Sequence, residues 1–454
     1  MEREVIARYI LDFHERKLPE LIPRELKIRI TKDAVVSIIG SRRAGKTYYF
    51  YQLMSDVNIN EKDKNRILYL DFEYPELAGI TFKEIKEIVN VHRELFGNEP
   101  EYLFFDEIQN VENWEKPIRS LYELKRFYIF ITGSSSRLLS KEIATALRGR
   151  TISYTLFPFS FREYLKAEGF EFAKIRGKGK GQYRSSSEES MIKHFMREYI
   201  RYGGLPQVVL NKDEGFRKRF FIEYLDLVVY RDIIERYGVK NLHIVKVMMK
   251  FLLSTFAKEF SIHRFYNTLK SQNINVSKKT LYNYFAYFQD ALFVYPIYKF
   301  SYSVKGVQLN SIPKVYITDT GLLTLTNTMG FSENMGRLME NMVAIELLRR
   351  KSCFAPSTEI YYYKSPEGKE VDFVLKEGLK LKELIQVCYD IEDIDTRERE
   401  LKSLIKASKE LKSEDLLVIT WDYEAEEEFK GKRIKFIPLW KWLLEFQQKF
   451  AQSS

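Results

Sequence analysis

Apolar residues in the first third of the chain come in short solid runs, separated by stretches with helical spacing. Ala34-Val-Val-Ser-Ile-Ile39, Arg66-Ile-Leu-Tyr-Leu-Asp71, Glu101-Tyr-Leu-Phe-Phe-Asp-Glu107, Phe127-Tyr-Ile-Phe-Ile131 and the run from Thr151 to Leu156 have the length of strands buried on both faces. Their alternation with helix-like segments predicts an α/β domain over residues 1–156, a three-layer parallel sheet. Met1 to Glu15 reads as a leading helix and Lys27 to Ile30 as a short strand. Phe157-Pro-Phe-Ser-Phe161 breaks the alternation, and helix-like segments over 157–240 predict a helical lid.

From residue 241 to about 325 the texture changes. Ser261 to Leu269 is a short amphipathic helix, a turn follows over Ser271 to Asn275, and Ser277 is a good N-cap. The next helix places Leu281, Phe285 and Phe288 on one face and Lys278, Lys279, Tyr282 and Asn283 on the other. Two strand-like runs, Ala291 to Tyr298 and Lys314 to Thr318, flank a turn at Gly306. This is the winged-helix order, with the Ser277 helix in the recognition position. Such domains bind DNA or protein. DNA contact would fall on Lys278, Lys279, Tyr282 and Asn283. Residues 326–454 return to mixed α/β, with a long helix from Glu333 to Arg350 and strands at Ile360 to Tyr363, Glu370 to Leu375 and Leu384 to Cys388.

Composition narrows the partners. Lys+Arg 73 against Asp+Glu 63 gives a net charge of +10, which allows nucleic acid without demanding it. Arg176 to Arg184, a basic glycine-rich stretch, is either a backbone-tracking loop or a solvated one. Two cysteines, Cys353 and Cys388, exclude a disulfide framework, and five histidines show no metal spacing. The start lacks a signal peptide, and no apolar run approaches the about 20 residues of a membrane span. A cytoplasmic protein without a membrane partner is expected.

The chemistry centres on Gly40 to Thr47, which reads G-x-x-x-x-G-K-T between a buried strand and a helix. Gly40 and Gly45 let the backbone curl so that N–H groups along Ser41, Arg42, Arg43 and Ala44 face phosphate oxygens. Lys46 supplies a cation for the outer phosphates, Thr47 a hydroxyl for Mg²⁺, and Tyr48 opens the helix. ATP and Mg²⁺ are the expected cofactors. Asp106 and Glu107 end another strand. Asp106 is placed to complete the metal shell and Glu107 to deprotonate a water. The hydroxyl-rich Thr132-Gly-Ser-Ser-Ser136 ends a third strand, where a hydroxyl can bond the attacking water or γ-phosphate. Arg148 and Arg150 either reach a neighbouring subunit's nucleotide as an arginine finger in a homo-oligomer or pair with surface acids. Asp71-Phe-Glu73 either faces the nucleotide or is a polar strand end, the simpler reading. In the C-terminal part, Glu340 and Asp372 match the first two acids of a metal-dependent nuclease, but Gln386-Val-Cys388 stands where an acid-x-lysine is needed. A neutral Gln386 holds Mg²⁺ less well than a carboxylate, so a nuclease-like fold without nuclease activity is expected.

Gly40 to Thr47, Phe105-Asp-Glu-Ile-Gln109, Thr132 to Ser136, Leu147-Arg-Gly-Arg150, Tyr202-Gly-Gly-Leu-Pro206 and Glu370-Val-Asp-Phe373 together resemble a prokaryotic, archaeal-type AAA-family ATPase. In that family the C-terminal half is a winged helix followed by a restriction-endonuclease-like domain. The resemblance runs nearly the whole chain. It implies the boundaries 1–156, 157–240, 241–325 and 326–454, and a γ-phosphate sensor at Thr132 or Ser134. Through similar signalling NTPases it implies that Pro206 packs on adenine, where the residues alone also allow an ordinary helix-bounding turn.

The leading expectation is an ATPase that couples ATP binding and hydrolysis to rearrangement of a DNA-bound or partner-bound assembly. The alternatives are a nucleotide-controlled protein-interaction switch without DNA binding, and an ATP-gated nuclease. A small-molecule kinase is disfavoured, because Glu107 and the Thr132 strand end suit water better than an acceptor pocket.

Overall fold

A computed structural model describes residues 3–57, 61–77, 79–134, 149–170, 186–302, 311–324 and 334–444. The Arg176 to Arg184 stretch, Gly306 and Arg148 lie outside the described residues. The chain forms two compact units, Met1–Phe157 with Asp290–Leu292, and Pro158–Gln289 with Phe293–Ser454.

The first unit is built on five parallel strands: β1 (Val35–Ile39), β2 (Ile67–Asp71), β3 (Tyr102–Asp106), β4 (Tyr128–Gly133) and β5 (Thr151–Thr155), in the order β2-β3-β4-β1-β5. Every residue of β1 is buried, as a strand covered on both faces requires. Helices α1 (Arg3–Glu15), α2 (Lys46–Asp56), α3 (Glu84–Phe96) and α4 (Glu115–Glu123) join and cover the strands. Phe104 stacks on Phe130 with ring centres 4.6 Å apart and meets Phe50 of α2 at 5.1 Å, which ties the helix after β1 to the sheet. Parallel strands present all their C-terminal ends at one edge of the sheet. Register sets Asp71 beside Asp106, and Ile38 beside Thr132.

The short strand expected at Lys27 to Ile30 does not form among the described residues. Its side chains are largely exposed and no ladder partner lies beside it. The segment before it runs along α2 instead, where the Tyr49 hydroxyl donates to the Leu26 carbonyl at 2.9 Å.

The second unit opens with helices Phe161–Ala167, Ser186–Tyr202, Pro206–Leu210 and Glu214–Leu227, the last continuing as a π-helix over Val228–Glu235. Gly203 and Gly204 between two of these helices are each required. Gly203 has φ +77, and a Cβ there would lie 1.7 Å from Asp319 Oδ1; a Cβ on Gly204 would lie 2.4 Å from the Phe159 carbonyl oxygen. Asp319 accepts from the Gly204 N–H at 2.7 Å and from the Gly321 N–H at 2.9 Å.

Helix Leu242–Ser254, β6 (Lys258–Glu259), helices Ile262–Ser271 and Lys278–Asp290, and the hairpin β7 (Val294–Ile297) and β8 (Lys314–Ile317) follow in that order, with a three-stranded sheet β6-β8-β7. Ser277 caps the last of these helices, its oxygen accepting from the Thr280 N–H at 3.0 Å. The final segment holds helix Met335–Cys353 and a six-stranded mixed sheet: β9 (Thr358–Lys364), β10 (Glu370–Glu377), β11 (Lys380–Cys388), β12 (Leu416–Thr420), β13 (Ala425–Phe429) and β14 (Lys432–Pro438), in the order β13-β14-β12-β11-β10-β9. Helix Ile394–Leu411 covers it, burying Leu401, Leu404, Ile405 and Leu411 against Val371, Val374, Leu384 and Val418.

Candidate functional site

The phosphate loop connects β1 to α2. Gly40 has no room for a side chain, since a Cβ would lie 2.4 Å from the Leu156 carbonyl oxygen. Arg43 and Gly45 take left-handed backbone angles, φ 61 and φ 94, and this curl turns the chain through the loop into the first turn of α2. Ser41 is buried and its Oγ has no hydrogen-bond partner among the described residues, an orphaned polar atom in the wall of the loop. Tyr48, in contrast, is exposed on the outer face of α2.

Lys46 is buried, and its ammonium pairs with Glu107 Oε1 at 3.1 Å while donating to the carbonyls of Gly40 at 3.3 Å and Ser41 at 3.5 Å. Burial works to raise the Glu107 pKa. The Lys46 charge and hydrogen bonds from Gln109 and Lys46 outweigh it, and the carboxyl is held below its ordinary value. Glu107 is therefore held in its ionised form. Asp106 behaves oppositely. Burial, and then the charge of Glu107, push it up to about 6 against hydrogen bonds from Thr132 and Thr47. The Tyr69 hydroxyl donates to Asp106 Oδ2 at 3.1 Å. Thr132 Oγ1 donates to Asp106 Oδ1 and accepts the Glu107 N–H at 2.9 Å. Thr132 thus bridges two neighbouring carboxylate residues from the strand that lies between β1 and β3. Ser134 is buried just beyond that strand.

Asp71 and Glu73 belong to this site, contrary to the simpler reading of them as a polar strand end. Glu73 pairs with Arg42 of the phosphate loop at 3.7 Å, and both acids are raised first by burial and further by the charge of Glu107. Four carboxylates thus face two cations, Lys46 and Arg42. Among the described residues no three carboxylates are grouped to hold a metal by themselves, but Thr47 and Asp106, hydrogen-bonded to one another, fit a divalent cation whose other oxygens come with a polyphosphate. Sequence reasoning missed Tyr69; a polar-tipped residue inside a strand beside Asp106 was the available signal. Arg150 pairs with Glu123 at 3.2 Å in its own unit, on the surface. Pro206 lies in the second unit as the first residue of helix Pro206–Leu210, the position where proline suits a helix start.

The exposed face of helix Lys278–Asp290 carries Lys278, Lys279, Tyr282 and Asn283, while Leu281, Phe285 and Phe288 are buried. The Lys278 ammonium sits 5.1 Å from the centre of the Tyr266 ring.

The nuclease-like set is corrected. Glu340 and Asp372 do come together, but on a lysine that sequence reasoning missed. The buried Lys314 ammonium of β8 donates to Glu340 Oε1 at 2.8 Å and Asp372 Oδ1 at 3.1 Å, and also pairs with Glu370. The Tyr316 hydroxyl donates to the same Glu340 oxygen at 2.7 Å, and Asp372 Oδ2 accepts the Val387 N–H at 2.9 Å. Gln386 turns elsewhere, donating to Glu400 at 2.6 Å. An ammonium therefore stands between the acids where a nuclease would hold a metal. Burial, and then the Asp372 charge, push Glu340 up to about 7, while its carboxylate neighbours keep Lys314 protonated despite burial.

Comparison with known proteins places this geometry. A relative, the uncharacterized protein MJ1544 of Methanocaldococcus jannaschii, is 37% identical over 436 residues, covering 95% of this chain and 92% of its own. The chain belongs to the MJ1544 family. An uncharacterized Haemophilus influenzae protein is 29% identical over 91% of this chain and 95% of its own. Residues 32–165 match a profile described as AAA domain, and residues 193–332 and 335–442 match domains of unknown function, DUF8612 and DUF4143. The five-stranded unit of this MJ1544-family protein is thus an AAA-type P-loop nucleotide-binding domain. Among solved structures, the Aeropyrum pernix ORC1 protein in complex with DNA aligns with 12% identity over 76% of this chain and 94% of its own, with a TM-score of 0.31. C. elegans PCH-2 aligns with 15% identity over 49% of this chain and 66% of its own, with a TM-score of 0.29. Scores that low carry no weight for fold or function. No described helix is long and apolar enough to cross a membrane.

Replacing Lys314 with Met leaves buried carboxylates without their counter-ion and should destabilise the second unit by roughly 3–5 kcal/mol. Because the Glu340 pKa is raised to about 7, its contribution to stability is present at low pH and is lost as pH rises through that value. Without the ammonium the loss is steeper. Denaturant unfolding of Lys314→Met should therefore show a deficit that grows with pH and shrinks when Glu340→Gln and Asp372→Asn are added. A deficit independent of pH would contradict this assignment.

Proposed function

We propose that this MJ1544-family chain is a Mg²⁺-dependent ATPase whose turnover rearranges an assembly held by its second unit. The observation that carries this reading is the Lys46–Glu107 ion pair at the end of the parallel sheet. In nucleotide binding, the loop amides and the Lys46 ammonium would take the outer phosphates. Thr47 and Asp106 would hold a magnesium ion, which neutralises phosphate charge when bound. Transfer of Lys46 to phosphate releases Glu107 to accept a proton from water. The Oε atoms of Glu107 are suited to this, being ionised and backed by Gln109. Thr132, already within hydrogen-bond reach of both carboxylate residues, would report γ-phosphate loss by changing partner.

The helix–β6–helix–helix–β7–β8 order supports a winged-helix reading of the segment from Leu242 to Ile317. The exposed Lys278, Lys279, Tyr282 and Asn283 supply phosphate and base donors along one helix face, which favours DNA as the held partner. The mixed sheet after helix Met335–Cys353 supports a restriction-endonuclease-like reading, and Lys314 between its acids argues against metal-dependent cutting.

Two outcomes test these readings. Glu107→Gln should leave MgATP binding within about twofold and lower steady-state turnover by at least about 100-fold, whereas Lys46→Ala should abolish binding in a fluorescent-nucleotide titration. Retained turnover in the first variant sinks Glu107 as the base. Changing Lys278, Lys279 and Asn283 together should weaken duplex binding about 10-fold or more at low salt and flatten its salt dependence. Wild-type chain that binds no duplex or single strand at low salt would favour a protein partner instead.

A further inference from the structure

A phosphate loop needs N–H groups that face inward, and a carbonyl that shares its peptide with such an N–H must face outward and find a donor there. In a planar trans peptide the C=O and N–H point in opposite directions. Fixing one fixes the other. The peptide that joins Ala44 to Gly45 lies between two left-handed residues, Arg43 and Gly45, at the sharpest part of the curl. Its carbonyl is held from outside by Arg24, whose Nη1 donates to Ala44 O at 2.8 Å.

Arg24 is itself held on three sides. Its Nη2 donates to the Phe157 carbonyl at 2.5 Å. Its own N–H donates to Gln52 Oε1 of α2 at 2.7 Å, and Gln52 Nε2 returns a bond to its carbonyl at 3.4 Å. The planar guanidinium spans two carbonyls, one in the phosphate loop and one just past β5. The Leu156 carbonyl oxygen occupies the space that a Cβ on Gly40 would need.

We propose that Arg24 is a positioning residue for nucleotide binding: by holding the Ala44 carbonyl outward it aims the Gly45 N–H into the phosphate cradle. This inference rests on the phosphate-loop reading above. An ammonium in its place offers a point charge and cannot bridge both carbonyls in one plane.

The test is MgATP affinity, read with a fluorescent N-methylanthraniloyl ATP, for wild type, Arg24→Ala, Arg24→Lys and Lys46→Ala, alongside steady-state kinetics. Losing a charged hydrogen bond that orients the cradle should weaken affinity about 10-fold or more in Arg24→Ala, and about threefold in Arg24→Lys. KM should rise while kcat at saturation changes less than about twofold. Millimolar guanidinium chloride should restore affinity to Arg24→Ala and leave wild type unchanged. Wild-type affinity in Arg24→Ala, with binding lost in Lys46→Ala, overturns the role of Arg24 and leaves the phosphate loop standing. Wild-type affinity in Lys46→Ala overturns the reading beneath it. Should Arg24→Ala fail to fold by circular dichroism, Arg24→Lys decides, and wild-type affinity in that variant overturns the proposal.

Discussion

A buried ammonium needs a carboxylate beside it, and among the described residues this constraint appears twice. Lys46 meets one carboxylate, Glu107, at 3.1 Å and two weakly engaged carbonyls at 3.3 and 3.5 Å. Lys314 meets Glu340, Asp372 and Glu370 together. The difference in partner number is a difference in what can be exchanged. Lys46 has one strong partner to give up, and a triphosphate offers more charge than Glu107 does. Lys314 sits among three acids, and a divalent cation entering there would have to expel a lysine already neutralising the site. One ammonium has a single carboxylate partner to exchange, and the other is locked among three.

The availability of Lys46 depends on strand order. With β4 between β1 and β3, Thr132 stands between the phosphate loop and the acidic strand end. Its hydroxyl can then donate to Asp106 while accepting from the Glu107 main chain. Had β3 paired directly with β1, no residue could occupy that bridging place. Desolvation, with the charge of Glu107 added to it, raises the pKa values of Asp71, Glu73 and Asp106, while Glu107 is lowered by the paired Lys46 ammonium and the Gln109 hydrogen bond.

What could be read from the chain followed how local each cause was. The phosphate loop was legible because the Gly, Lys and Thr spacing has a backbone reason at every position. The exposed and buried faces of helix Lys278–Asp290 were legible from 3.6-residue periodicity. Lys27 to Ile30 misled, because its alternation imitates a strand while no strand among the described residues pairs with it. Lys314 was not legible, since its three acids come from elements far away in sequence. The available hint was a lysine opening the apolar run Lys-Val-Tyr-Ile, a place where burial demands an opposite charge. Arg24 gave no hint at all. Its guanidinium donates to main-chain carbonyls, which no residue type advertises.

The two adjacent acids at the end of β3 raise a geometric problem that the backbone solves. Successive side chains on a strand point to opposite faces, so Asp106 and Glu107 in an unbroken strand would diverge. The strand stops at Asp106, and Glu107 takes φ 49 and ψ 47, a left-handed turn that a residue with a Cβ adopts at a cost of about 1–2 kcal/mol. The cost is met locally: Thr132 Oγ1 takes the Glu107 N–H, and Lys46 takes its carboxylate. Because the kink is held by the same two groups that nucleotide would engage, the strain and the ion pair belong to one arrangement. Drawing Lys46 toward phosphate would remove half of what holds Glu107 in its turn, so the position of the Glu107 carboxylate would become sensitive to what occupies the loop.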